Sequence, residues 1–133
     1  MTPRLIDTSV WIRALGPSPI VPVRDLVSGL IERHEAAVCA PIAFELLRGV
    51  PDKRQFDELL DYLANLQSLP VDWVAAARWS SDTIIRRLKV KSMDLLIAHT
   101  ALVHGVVLLH ADSDYDRLAR ATGLKVENPS KTT

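Results

Sequence analysis

The sequence predicts an α/β fold, a short and mostly parallel sheet of four or five strands wrapped by helices. Three observations carry this prediction. Short apolar runs recur along the chain as Leu5-Ile6, Ala36-Ala37-Val38-Cys39-Ala40 and Val106-Val107-Leu108-Leu109; their length suits buried strands. Between them lie longer segments whose apolar residues return every three or four positions, the period of a helix with one buried face. Strand and helix therefore alternate, and strands joined through helices run parallel with right-handed crossovers.

Taken in order, residues 3–6 read as the first strand, ending at Asp7. Thr8 and Ser9 suit a helix start, with Val10, Trp11, Ile12 and Leu15 as the apolar face and a Gly16-Pro17-Ser18-Pro19 turn after it. Val23, Leu26, Val27, Leu30 and Ile31 place a second helix over residues 21–34. Residues 36–40 form strand two. Pro41 fits the first turn of a helix over residues 42–48, closed by Gly49 and Pro51. Asp52 caps a helix that runs to about Gln67, and residues 69–71 make a third, very short strand. Asp72 caps a long helix through about Leu88. Ser92 or Asp94 opens the next, stopped by Gly105. Residues 106–109 are the clearest strand. A last helix spans about 114–122, an edge strand 124–126, and residues 128–133 a frayed tail.

A chain of 133 residues is expected to form one domain and to bury roughly two thirds of its unfolded surface. Lys+Arg and Asp+Glu each number 16, so the net charge is zero. That argues against a strongly basic nucleic-acid coat protein but leaves room for a local basic patch. Cys39 is the single cysteine and lies in an apolar run, which suits a buried thiol in a reducing compartment. No leader opens the chain and no apolar run reaches the ~18 residues of a membrane helix, so the expectation is a soluble, cytoplasmic protein without a membrane partner.

The glycines form neither a G-x-G pair nor a phosphate-binding loop, no G-x-S-x-G elbow is present, and one cysteine does not build structural zinc. The remaining chemical resource is carboxylate. Asp57, Glu58 and Asp61 lie on polar helix faces, but four acids break pattern. Asp7 stands at the end of strand one. Glu45 interrupts the apolar run Ile42-Ala43-Phe44-Glu45-Leu46-Leu47, Asp94 opens an apolar helix, and Asp112 follows the 106–109 strand. Each has an ordinary alternative, as a helix cap, a dipole partner or a solvated helix edge. In a parallel sheet, however, all four positions fall at the carboxyl edge. Carboxylates gathered there repel one another unless a cation joins them, and hard oxygen ligands select Mg²⁺ or Mn²⁺. Such a site binds phosphate and activates water for in-line attack.

Leu5-Ile6-Asp7-Thr8-Ser9, Glu45-Leu46-Leu47-Arg48-Gly49, Asp94-Leu95-Leu96-Ile97-Ala98 and Asp112-Ser113-Asp114-Tyr115 resemble, in order, the four acidic motifs of PIN-domain ribonucleases. Size and motif order are similar to the toxins of VapBC toxin–antitoxin pairs. The resemblance covers nearly the whole chain. It implies a PIN-like three-layer α/β/α fold and a Mg²⁺-dependent endoribonuclease. It further implies a homodimer held inactive by a VapB-like antitoxin whose tail enters the cleft. It assigns catalysis and metal binding to Asp7, Glu45, Asp94 and Asp112, with Thr8 or Ser9 as the supporting hydroxyl. The sequence departs from the pattern at His110, where Thr or Ser is usual, and at His99, where a small residue is common.

Asp114 is expected to reach the same cleft as an outer or second-metal ligand, while Asp116, further into the helix, is expected to face solvent. Arg48, Arg86, Arg87 and Lys91 are candidates to hold RNA phosphates, with Lys53, Arg54 and Lys89 near them. Trp11 and Phe44 mark an apolar groove suited to an amphipathic helix. Two other readings stay open: a catalytically silent PIN-like RNA- or protein-binding module, and another Mg²⁺-dependent phosphotransfer enzyme. A phosphatase with a second Asp two residues after the first is disfavoured, because Ser9 occupies that place.

Overall fold

Every strand pairing in the sheet is parallel, and the strand order is β3-β2-β1-β4-β5. The computed structural model describes residues 2–130. Its strands are β1 (Arg4–Ile6), β2 (Ala36–Val38), β3 (Gln67–Ser68), β4 (Val107–Leu109) and β5 (Val126–Glu127). Its helices are α1 (Thr8–Leu15), α2 (Val21–Glu32), α3 (Ala40–Arg48), α4 (Lys53–Ala64), α5 (Trp73–Ser80), α6 (Thr83–Arg87), α7 (Ser92–His104) and α8 (Ser113–Ala121).

The chain starts at the sheet centre, builds outward through β2 to β3, and returns across to β4 and β5. Right-handed crossovers then put α1–α4 on one face and α5–α8 on the other. With both faces covered, the central strands are apolar apart from Arg4 at the start of β1: Leu5, Ile6, Ala37, Leu108 and Leu109 have no exposed surface. Burying each of the larger side chains stabilises the fold by about 1.5–3 kcal/mol. The registers Arg4↔Val107 and Ile6↔Leu109 align the ends of β1 and β4. From those ends the chain departs in opposite directions, toward β2 and toward β5. A crevice opens at such a switch point, outside the carboxyl ends of the strands.

Several elements differ from expectation; strand two ends at Val38, not Ala40, because Ala40 already begins α3. The helix after Asp52 ends at Ala64, not near Gln67, because Gln67 and Ser68 pair with β2 and Leu69 N–H bonds Val38 O. The third strand therefore precedes residues 69–71. The long helix expected from Asp72 to Leu88 is two helices. Asp82 restarts the chain by accepting from the amides of Ile84 and Ile85. The last strand begins at Val126, where Leu108 pairs with it. On α1, Val10, Trp11 and Ala14 face the core while Ile12 and Leu15 are exposed. In the tail, Asn128 accepts from Ser130 N and Oγ; residues 131–133 lie outside the described part. Among the described residues, no helix is long and apolar enough to cross a membrane.

Candidate active site

Asp7 ends β1 and is itself the N-cap of α1, so Thr8 and Ser9 are not caps but its first helical residues. Asp7 as a whole is only 4% exposed. A charge that deep is tolerated when its oxygens are occupied. Oδ2 accepts from Ser9 N at 3.0 Å and from the Ser9 hydroxyl, and Oδ1 accepts from the Tyr115 hydroxyl at 2.8 Å. Ser9 Oγ also accepts from Ala111 N at 3.0 Å, which ties the end of β1 to the end of β4. Thr8 points the other way and donates to Glu45 Oε1 at 2.8 Å, anchoring the acid that interrupts α3.

Asp112 caps α8 by accepting from Asp114 N at 2.9 Å. Its own N–H donates to His110 Nδ1 at 3.1 Å. That bond makes Nδ1 the acceptor and leaves the ring proton on Nε2. His110 is fully buried and packs against the Tyr115 ring with centroids 5.3 Å apart. The histidine that departs from the expected hydroxyl thus orients the backbone that carries Asp112.

Asp94 lies in the first turn of α7 and is half-buried. Burial raises its pKa to about 6, and the charge of Asp7, followed by those of Asp112 and Glu45, pushes the same way against the Tyr115 hydrogen bond. Asp94, Asp112 and Asp114 each bring a carboxylate oxygen within 4.8 Å of the others. Asp114 also accepts from Arg117 Nη2 at 2.7 Å, and Arg117 Nη1 donates to Leu88 O at 2.6 Å. The structure therefore groups Asp94, Asp112 and Asp114 directly. Asp7 joins this group through Tyr115, and Glu45 joins Asp7's helix through Thr8. The donor set is all oxygen and mutually repulsive, which fits a hard divalent cation.

Asp116 corrects an expectation. Its side chain is 29% exposed, and its Oδ1 lies 3.2 Å from His110 Nε2, without the alignment of a good hydrogen bond. The cause is the buried imidazole, whose Nε2–H has to find a partner along α8. His99 is buried against Trp79, with rings 5.4 Å apart, and burial lowers its pKa; it packs in the core as a neutral ring. Arg48, Arg86, Arg87 and Lys91 are all exposed. Arg86, Arg87 and Lys89 line a common depression with Thr83, beside the Leu88 carbonyl that Arg117 holds.

Two residues escaped the sequence reading, Tyr115 and Arg117. Tyr115 appeared there only as the last residue of the fourth acidic motif. The available signal was its place three residues after Asp112, in the first turn of a helix starting at the cleft, where a buried phenol needs a polar partner. Beside the acids, Thr8, Trp11, Ile12, Leu15, Glu45 and Leu46 contribute to a groove between α1, α3 and α4. Trp11 is buried and lines that groove, whereas Phe44 is 59% exposed.

The PIN domain family profile matches residues 4–121. Ribonuclease VapC11 of Mycobacterium tuberculosis is 37% identical over 91% of this chain and 95% of its own length. Ribonuclease VapC18 of the same organism is 29% identical over 92% of this chain and 91% of its own. Among solved structures, FitAcB from Neisseria gonorrhoeae superposes with a TM-score of 0.72 at 21% identity, covering 97% of this chain and 99% of that one. VapBC2 from Rickettsia felis, bound to a DNA fragment from its promoter, gives 0.69 at 20% identity, covering 94% and 97%. The sheet order, the acids at the β1/β4 switch point and these similarities together establish that the chain belongs to the PIN domain family.

Proposed function

We propose that this protein is a metal-dependent endoribonuclease and the toxin of a toxin–antitoxin pair. The observation that carries the reading is the convergence of Asp94, Asp112 and Asp114 within 4.8 Å at the crevice, with Asp7 bound to the same tyrosine as Asp94. The relatives named as VapC ribonucleases support the choice of RNA. In this reading Asp7, Glu45, Asp94 and Asp112 are the catalytic acids, and Asp114 is an additional ligand. Mg²⁺ is the proposed cation, with Mn²⁺ able to replace it. When bound, it supplies positive charge against a phosphodiester oxygen and lowers the pKa of the attacking water.

The chain's own residues do the rest. Thr8 orients Glu45, Ser9 and Tyr115 orient Asp7, and His110 orients the Asp112 backbone. Arg48, Arg86, Arg87 and Lys91 hold RNA phosphates, each a sequence-independent contact weakened by salt. The groove between α1, α3 and α4 receives a VapB-like antitoxin helix, with Ile12 and Leu15 on its rim. Solved neighbours that are VapBC or FitAB assemblies support that partner. The protein works as a single domain over residues 1–133, as a homodimer, in the cytoplasm.

The test is RNA cleavage by the purified chain against Mg²⁺ concentration. Cleavage is expected to vanish with EDTA, and Asp94→Asn is expected to lower the rate about 100-fold or more with the fold retained. Expression without antitoxin is expected to arrest growth, and Asp7→Asn to relieve the arrest. Abundant, folded wild-type protein in healthy cells would refute the toxin reading.

A further inference from the structure

Tyr115 occupies a position that the acid motifs leave without a role. Its side chain has no exposed surface, yet its hydroxyl faces two carboxylates from distant parts of the chain. The oxygen lies 2.8 Å from Asp7 Oδ1 and 3.1 Å from Asp94 Oδ1. Asp7 comes from the end of β1 and Asp94 from the start of α7, while the phenol stands in the first turn of α8. The ring is held from the side by His110. An ionised carboxylate can only accept, so the hydroxyl is the donor in these contacts.

Two like charges that both approach one hydroxyl oxygen are held closer than they would settle alone. The phenol carries a single proton, shared between the two carboxylate oxygens, and each of those oxygens keeps a second lone pair clear of it. We infer that Tyr115 is a positioning residue of the metal centre: its hydroxyl holds Asp7 and Asp94 at a fixed separation and leaves their outer lone pairs free to converge on a divalent cation. This inference rests on the metal-dependent reading above. A tyrosine that merely filled core space would need its ring but not its hydroxyl, and Tyr115→Phe separates the two.

The experiment measures Mn²⁺ binding to the full-length wild-type chain and to Tyr115→Phe by calorimetry, alongside thermal melts with and without Mn²⁺. The ring packing against His110 survives in the variant. Its Mn²⁺ affinity is expected to fall about 10–100-fold, the usual effect of removing an outer-shell partner, and its metal-induced rise in Tm to shrink accordingly. A folded Tyr115→Phe with wild-type Mn²⁺ affinity would overturn the inference alone. A wild-type chain that binds no Mn²⁺ would overturn the metal reading and this inference with it. If Tyr115→Phe does not fold, 3-fluorotyrosine at position 115 keeps the hydroxyl. Its ¹⁹F resonance is expected to shift as Mg²⁺ saturates the site, and a resonance that does not move overturns the inference.

Discussion

At the residue scale, the three acids after β4 are distinguished by what each touches. Asp112 caps α8 and belongs to the close acidic group, so Asp112→Asn is expected to abolish Mg²⁺-dependent cleavage most completely. Asp114 is shared with Arg117, which leaves it a weaker ligand. Asp114→Asn is therefore expected to recover partly at high Mg²⁺ by mass action. Asp116 contacts His110, whose Nδ1 receives the Asp112 amide. Asp116→Asn is expected to lower metal affinity least of the three, because it reaches Asp112 only through His110 and meets that ring without a well-aligned hydrogen bond. Titrations of cleavage rate against Mg²⁺ for the three variants rank them, and equal rates in Asp112→Asn and wild type would refute the order. Asp94 gives a pH dependence. Its pKa is raised from 3.8 to about 6, chiefly by burial. The folded metal-free chain therefore binds more protons than the unfolded chain between those values. Its stability falls as pH rises through that window. The Tm of the EDTA-treated protein is expected to drop from pH 4 to 6.5, and Asp94→Asn to flatten the drop.

At the element scale, turns and caps decide where the site's parts lie. Gly105 closes α7 at φ +65°, and a Cβ there would meet nothing within 4 Å. Gly105→Ala thus isolates the backbone cost of a left-handed residue. It is expected to destabilise the fold by about 1 kcal/mol in chemical denaturation, with RNA cleavage unchanged. The break at Asp82 produces α6, whose Arg86 and Arg87 line a common depression with Lys89. Asp82→Ala removes the acceptor for two amides, at a cost of about 1 kcal/mol. It is expected to weaken RNA binding while leaving Mn²⁺ affinity at the wild-type value. Filter binding and calorimetry on the same preparation check both halves.

At the scale of the whole molecule, the acidic crevice and the apolar groove meet at Thr8 and Glu45, which belong to both. A helix seated in that groove is therefore placed to carry a charged tail to the acids. Ile12 is 57% exposed on the rim, so Ile12→Asp is expected to abolish antitoxin binding without loss of fold or cleavage. Co-purification with the cognate antitoxin, followed by a cleavage assay, tests this. The alternation of strands and helices, the buried strands and the caps at Asp52 and Asp72 were legible in the sequence. So were the positions of Asp7 at the end of β1, Asp94 in the first turn of α7 and Asp112 just after β4. Those features are local: burial and capping leave their mark within a few residues of the groups concerned. The β3 and β5 positions were not legible, because two-residue edge strands take their register from partners far along the chain. Nor was Asp116's contact with His110, which depends on how α8 sits against β4. The hydroxyl of Tyr115 meets an acid 108 residues away only because β1 and β4 are neighbours in the sheet. The sequence by itself determined which chemical groups stand at the carboxyl edge. Which of them touch was decided by strand pairing and helix packing, whose energies arise between segments that carry no local trace of one another.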